Sequence, residues 1–261
     1  MKITVITVAG ISSRFNKDFP EDEKILKCLY YDENPKDTLI YQMIQKTSYS
    51  DKIIVVGGYK YDDLKAYISD YIPDGLKEKI VLVYNDHFDD LSSGYSLYLG
   101  IHESLTKFDD IEEILFVEGD LDIDVESFKK VIESKNSVLT TNPEPIYSNK
   151  AVVLYQNGED KYIYAFNSDH GLLSIDEPFK AIFNSGQIWK FTDMEILGIA
   201  NDNFKEYLIE DTNLGIIQKY FDLFEGSVDI IAFNHWVNCN TRSDYQIIKK
   251  YWRKYVYEII K

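Results

Sequence analysis

The chain has 261 residues, 45% of them hydrophobic and 28% charged, with a formal net charge of −16. That balance is ordinary for a globular protein and excludes a disordered one, while the acidity excludes sequence-independent binding to DNA, RNA or anionic lipid, which needs a basic surface. No apolar run reaches the ~20 residues of a membrane span, the first residues lack the features of a signal peptide, and a cytoplasmic location is expected.

Strand-like runs at Lys2–Val8 and at 52–56, 79–84, 113–117 and 137–141 alternate with helix-like runs at 38–47, 62–71, 95–105 and 125–134. This alternation predicts an α/β fold: a Rossmann-like three-layer α/β/α arrangement around a mixed, mainly parallel sheet. After Asn142 the texture changes. Residues 152–155 and 162–166, separated by Asn157-Gly158-Glu159-Asp160, predict a β-hairpin insertion. A further strand is expected from 181–183 into 188–191, helical text from 194 to about 224 with a break near Glu210, a strand at 230–233 and a helix from Ser243. A single domain, 1–261, is expected, with a nucleotide-binding half (1–142) and an acceptor-substrate half (143–261). Cys28 and Cys239 have no metal or redox spacing and are expected to be buried thiols. The histidines have no zinc-like spacing; His170, beside Asp169, is a substrate contact or an exposed turn residue.

The first strand stops at a small-residue loop, Val8-Ala9-Gly10-Ile11-Ser12-Ser13, followed by Arg14. Small residues let backbone N–H groups approach phosphate oxygens, and Arg14 adds a bidentate, charge-assisted contact. The loop is neither a Walker loop nor a dinucleotide fingerprint, because no Gly-Lys-Ser/Thr follows and the later glycines are missing.

Gly10, Ser13 and Arg14, with Lys27 before Cys28-Leu29, resemble the Ala-Gly-x-x-Ser-Arg and Pro-Lys-x-Leu elements of nucleotidyltransferases with the glycosyltransferase-A-like fold. Ser12 replaces a frequent glycine, Leu26 replaces the proline, and Lys24 is a second candidate for the lysine. Ser93-Gly94-Tyr95-Ser96-Leu97-Tyr98 is similar to a segment of phosphocholine cytidylyltransferases that lies beside the base. Phe116-Val117-Glu118-Gly119-Asp120-Leu121-Asp122 resembles the family's strand ending in Gly-Asp. Asn184-Ser185-Gly186 resembles its Asn-x-Gly turn, and residues 236–244 its closing segment.

The resemblance implies a Mg²⁺-dependent cytidylyltransferase, with Mn²⁺ as an alternative ion, that transfers CMP from CTP to a small phosphorylated acceptor and releases pyrophosphate. Arg14 and Lys27 are the expected catalytic cations. Val8, Ala9, Gly10, Ser12, Ser13, Arg14, Ser93, Gly94, Ser96 and Gly119 are the expected nucleotide contacts. Asp120 is the first metal ligand; Asp122 joins it if the chain stays extended, since strand side chains repeat every second residue. Asn240 stands where many relatives carry a second metal-binding aspartate. The resemblance implies that Asn240 is a metal ligand there, or that it and Asn238 contact the metal through water or hold the nucleotide.

Asn184, Gly186, Glu210, Asp211, Trp236 and Asn238 are the candidate acceptor contacts. Trp189, Trp236 and Tyr147 offer an aromatic cage for a quaternary ammonium, and phosphocholine, phosphorylated amino-acid derivatives, phosphonates and glycerol phosphate all suit the frame. The product would be an activated precursor for a capsule or other surface polymer, or for lipid decoration. Alternative readings are a sugar-1-phosphate nucleotidylyltransferase, a nucleotide-sugar-dependent glycosyltransferase and, outside enzymes, a nucleotide-sensing protein. The oligomeric state is open.

Overall fold

The structure, a computed structural model, describes residues 1–148, 152–165 and 173–255. In chain order the elements are β1 (Lys2–Val8), α1 (Leu39–Lys46), β2 (Lys52–Gly57), α2 (Tyr61–Tyr71), the one-turn α3 (Asp74–Lys77), β3 (Ile80–Tyr84) and α4 (Ser93–Lys107). Then come β4 (Glu113–Glu118), β5 (Leu121–Ile123), α5 (Val125–Glu133), β6 (Ser137–Asn142), β7 (Val153–Asn157), β8 (Tyr162–Tyr164) and β9 (Phe179–Phe191). The chain continues through α6 (Met194–Tyr207), α7 (Leu214–Leu223), β10 (Val228–Ala232), β11 (Trp236–Asn238) and α8 (Arg242–Tyr255).

The central sheet runs β10-β6-β9-β4-β1-β2-β3. Strands β4, β1, β2 and β3 are mutually parallel, β10 is parallel to β6, and β9 is antiparallel to β4 and β6. The sheet is therefore mixed, as expected. Strands β1, β2 and β4 are mostly apolar, as suits strands covered on both faces. Ile6 and Val8 of β1, with Leu115 and Val117 of β4, face α1, α2, α5 and α8. Ile3, Val5, Ile114 and Phe116 face α4, α6 and α7. Period-two alternation in a strand apolar on both faces thus builds two cores, one on each side of the sheet. Polar side chains fix helix starts: Thr38 accepts from Tyr41 N ahead of α1, and Asp124 accepts from Ser127 N at 2.7 Å ahead of α5.

Three expectations change. The hairpin forms as β7 and β8, but its left-handed residue is Asp160, with φ 66°, and the Asn157 side chain accepts from Glu159 N and Lys161 N. The connection is thus longer than a tight Asn-Gly turn, and β7 joins the main sheet by pairing with β9. Residues 184–187 do not turn. They stay inside the thirteen-residue β9 as a register irregularity with Gln187 at φ 56°. A two-stranded antiparallel ribbon, β5 with β11, was not expected, since three-residue strands are too short for a periodic signal. Phe166, Asp169 and His170 lie outside the described residues. Among the described residues no helix is long and apolar enough to cross a membrane.

Candidate nucleotide and metal site

The loops after β1, β3 and β4 meet at the carboxyl edge of the sheet, where open α/β sheets carry ligands. They enclose a cavity of about 390 Å³. Val8, Ala9, Gly10, Ile11 and Ser12 form one wall, Lys27 and Asp120 lie at its base with Glu118 and Gly119, and Asn85, Phe88, Leu91, Ser93, Ser96 and Asn213 complete it.

The first loop is built to leave donors open. Ser12 has φ 56°, a left-handed conformation that favours glycine over other residues. Serine is held there because its carbonyl accepts from Asn16 N at 3.0 Å and its Oγ accepts from Lys27 N at 3.1 Å. The buried Asn16 amide also exchanges two hydrogen bonds with the backbone of Ile25, which ties the lysine segment to the loop. Among the described residues the backbone N–H groups of residues 10 to 14 donate to no protein acceptor. Such a run of free donors is suited to phosphate oxygens.

Lys27 Nζ donates to Asp120 Oδ2 at 2.6 Å, with both side chains about one-fifth exposed. Burial alone would lower the Lys27 ammonium, but the charge and hydrogen bond of Asp120 outweigh it and hold Lys27 above its ordinary value. Asp120 Oδ1 is buried and has no hydrogen-bond partner. Glu118 lies beside it; burial first, and then the Asp120 charge, push its carboxyl above the usual carboxylate range, against the pull of Asn213 and Lys27. Asn213 Nδ2 holds Glu118 Oε1 at 2.7 Å, and Asn213 N donates to Ser93 Oγ at 3.3 Å.

The base of the cavity therefore has two carboxyl groups, one ammonium and an unpartnered carboxylate oxygen. Hard oxygen donors of this kind suit a divalent cation such as Mg²⁺ or Mn²⁺, and Asp120, with its unpartnered oxygen, is the residue that could hold one. Cys239 N donates to Asp120 O at 2.8 Å, bringing the closing segment against this turn, and the side-chain oxygens of Asn238 and Asn240 are also buried without partners. Among the described residues no three His, Cys, Asp or Glu side chains gather as a metal site. Water and ligand oxygens would have to supply most of the coordination.

Several expected residues stand elsewhere. Asp122 does not reach the cavity. The chain turns at Gly119-Asp120, so the alternation that would align the two aspartates is broken. Both Asp122 oxygens are taken, Oδ1 by Lys46 Nζ (2.9 Å) and Trp252 Nε1 (2.8 Å), Oδ2 by His235 Nε2 (3.0 Å). Burial opposes its ionisation, but the Lys46 charge and these bonds prevail and hold the carboxyl below its ordinary value. It is a structural carboxylate.

Gly94 faces away: a Cβ there would lie 2.4 Å from Phe204 Cζ and 2.5 Å from Asp211 O, so this glycine lets α4 approach the loop after α6. Gly119 does line the cavity, and a Cβ would lie 2.3 Å from Val8 Cγ1, which keeps the β4 exit tight against β1. Ser13 and Arg14 are exposed beside the cavity rather than lining it, and Arg14 makes no ion pair among the described residues. Its charge is near enough to Lys27 to oppose that ammonium. Of the two candidate lysines, Lys24 instead pairs with Glu21.

Asn238, Asn240, Asn184, Gly186, Glu210, Asp211 and Trp236 are not among the lining residues. Asn184 is buried, and a Gly186 Cβ would meet Phe233 and Thr140 within 2.6 Å; Trp236 Nε1 donates to Gly186 O at 2.9 Å. Glu210 and Asp211 are exposed, whereas Asn213 from the same loop enters the site. Trp189 is wholly buried, with Nε1 bonded to Tyr164 Oη at 2.6 Å, and Tyr147 is exposed, so the aromatic cage is not assembled. Cys28 and Cys239 are buried free thiols; burial pushes Cys239 up to about 12 and Cys28 higher still.

Glu118, Asn213 and Asn85 were the residues missed. Glu118 was visible beside Gly119-Asp120 but had no assigned role, while Asn213 reads only as a helix start and Asn85 as a loop amide.

A family model described as "Domain of unknown function (DUF6564)" matches residues 23–252. The chain belongs to the DUF6564 family. No curated protein matches it. Among solved structures, this DUF6564 chain is similar to the CTP:phosphocholine cytidylyltransferase of Streptococcus pneumoniae at 15% identity and TM-score 0.63, covering 95% of this chain and 98% of that one. It is similar to the inositol-1-phosphate CTP transferase of T. maritima at 17% identity and TM-score 0.64, over 97% and 96%. A UDP-glucose pyrophosphorylase in complex with UDP-glucose matches at 14% identity and TM-score 0.65, over 97% and 99%. The fold is thus that of nucleotidyltransferases. The proteins sharing it differ in base and acceptor.

Proposed function

We propose that this protein is a nucleotidyltransferase that transfers CMP from CTP to a small phosphorylated acceptor. The observation that carries the reading is the base of the cavity: Lys27 bonded to one oxygen of Asp120 while the other is buried and unpartnered, beside a loop with free backbone donors. An acceptor phosphate oxygen attacks the α-phosphorus, the bond from that phosphorus to the bridging oxygen breaks, and pyrophosphate leaves. No general base is required, because a phosphate is already a nucleophile near neutral pH. The work is positional and electrostatic.

Residues 10 to 14 would bind the β- and γ-phosphates, with Arg14 closing over them from outside. Lys27 would stabilise charge gathering on the α-phosphoryl group. Asp120 would hold Mg²⁺, which neutralises phosphate charge and orients the triphosphate when bound. The choice of CTP rests on the likeness of residues 93–98 to the cytidylyltransferase segment. A phosphocholine-like, amino-acid-derived, phosphonate or glycerol phosphate acceptor suits the reading.

The test is pyrophosphate release with Mg²⁺, crossing CTP, UTP, ATP and GTP against phosphocholine, phosphorylated amino-acid derivatives, aminoethylphosphonate, glycerol phosphates and sugar 1-phosphates. Release with CTP and one small phosphorylated partner is expected. Release only with a sugar 1-phosphate would replace the acceptor class, and no release from folded protein with any pair would overturn the reading.

A further inference from the structure

Asn85 follows β3 and Asp120 follows β4, three strand spacings apart in the order β4-β1-β2-β3, or about 14 Å across the sheet edge. The charged groups of the cavity lie at the Asp120 side. The Asn85 side has Phe88 and Leu91 as apolar cover and the start of α4 as a polar wall, a combination suited to the flat, uncharged end of a nucleotide.

Hydrogen bonds fix the polarity of that wall. His87 N donates to Asn85 Oδ1 at 2.8 Å, which sets the amide orientation, so Nδ2 is the group that donates to Ser96 Oγ at 2.9 Å. The Ser96 oxygen is thereby an acceptor, and its hydroxyl proton is left for another partner. Ser96 is 5% exposed, lines the cavity and makes no other side-chain hydrogen bond among the described residues. The wall therefore offers a donor. The Ser92 side chain does not cap α4, and although Tyr95 N donates to Ser92 O, the Ser93 and Gly94 N–H groups add donors of the same kind at the helix start.

Cytosine presents two adjacent acceptors, O2 and N3, whereas uracil presents O2 beside an N3–H donor. A fixed donor facing N3 accepts the first base and repels the second. We propose that Asn85 is a specificity-determining residue: by fixing the Ser96 hydroxyl as a donor, it selects a cytosine over a uracil nucleotide. The inference rests on the nucleotide reading given above.

The test is calorimetric binding of CTP and UTP, with Mg²⁺, to wild-type protein, Asn85→Asp and Ser96→Ala. Aspartate still accepts from His87 N but takes the Ser96 proton, turning the serine lone pairs toward the base. The CTP/UTP affinity ratio is expected to exceed one in the wild type and to fall by about tenfold or more in Asn85→Asp. In Ser96→Ala it should fall toward one. Where Asn85→Asp fails to fold, judged by circular dichroism, Ser96→Ala carries the test alone. A wild type that favours UTP, or a ratio unchanged in the folded variants, would overturn the specificity role while leaving nucleotide binding intact. Binding of neither nucleotide would overturn the nucleotide reading itself, and this inference with it.

Discussion

Lys27 Nζ and Asp120 Oδ2 are 2.6 Å apart, joined across 93 positions of sequence. The pair occupies only one Asp120 oxygen and leaves the other unpartnered. One contact thus brings the cation and the anion that the proposed reaction needs to the same point, with one carboxylate oxygen left over.

Lys27→Ala and Asp120→Ala are each expected to lower kcat for pyrophosphate release by about 10²- to 10³-fold, the usual cost of removing one preorganised charged partner from a transition state. Thermal unfolding separates lost chemistry from lost fold, since both side chains are about four-fifths buried and truncating one leaves the other charge unpaired. A drop in midpoint large enough to account for the lost activity would assign the pair a structural role instead.

Arg14→Ala should act on binding. Its side chain is exposed and makes no ion pair among the described residues, so folding should be unaffected. Loss of a charge-assisted contact to triphosphate is worth roughly 1.5 to 3 kcal/mol, or about a 10- to 100-fold rise in KM for the nucleotide. Steady-state kinetics with a varied nucleotide checks this, and an unchanged KM would remove Arg14 from the site.

Metal binding should depend on nucleotide. With no gathered set of three metal-binding side chains among the described residues, Mn²⁺ alone should bind weakly, and phosphate oxygens should complete its shell. Electron paramagnetic resonance of free Mn²⁺ should show uptake by the protein only when CTP is added. Tight uptake by Asp120→Ala without nucleotide would contradict this.

Asp122 should report on stability and acid tolerance. Asp122→Ala strands the Lys46 ammonium, which is only 10% exposed, and is expected to cost about 3 to 5 kcal/mol in denaturant unfolding. The native carboxyl is held below its ordinary value, so its contribution is full above the ordinary carboxylate pKa and is lost as pH falls through the depressed one. Asp122→Asn should therefore lose less stability than wild type as pH falls from about 5 to below the ordinary aspartate pKa of about 3.9. Parallel loss in the two proteins would show that Asp122 is not responsible.

Gly94 and Gly10 should behave oppositely. Alanine at position 94 must displace Phe204 or the Asp211 carbonyl, at a cost of about 1 to 3 kcal/mol, whereas a Cβ at position 10 meets nothing within 4 Å. Thermal melts of the two alanine variants check the contrast. A stable Gly94→Ala would mean that α4 can shift to accommodate it.

The parallel strands and helices were legible because long apolar runs and period-two or three-to-four spacing survive in sequence. Gly10, Ser12 and Asp120 were legible because each sits at a strand end or in a small-residue loop with few structural uses, whereas Lys27, in an apolar 3-10 turn, was legible only through the resemblance of its segment to a known element. Asp122 misled because two residues of spacing imply one face only in an extended chain, and the turn at Gly119-Asp120 removes that condition. Asn213 and Asn85 were hidden for a different reason. Each acts through a partner distant in sequence or on another element, and a single amide in a loop has no periodicity to betray it.

The β5–β11 ribbon, with Cys239 N bonded to Asp120 O, joins the middle of the chain to nearly its end. A chain emerging from the ribosome can assemble β1, its loop and the strand end at Asp120 well before residues 236–240 have been made. The loop after β1 thus precedes the segment that backs the turn at Asp120, and a product truncated before β11 lacks that support. The turn at Asp120 is therefore braced by residues synthesised long after it.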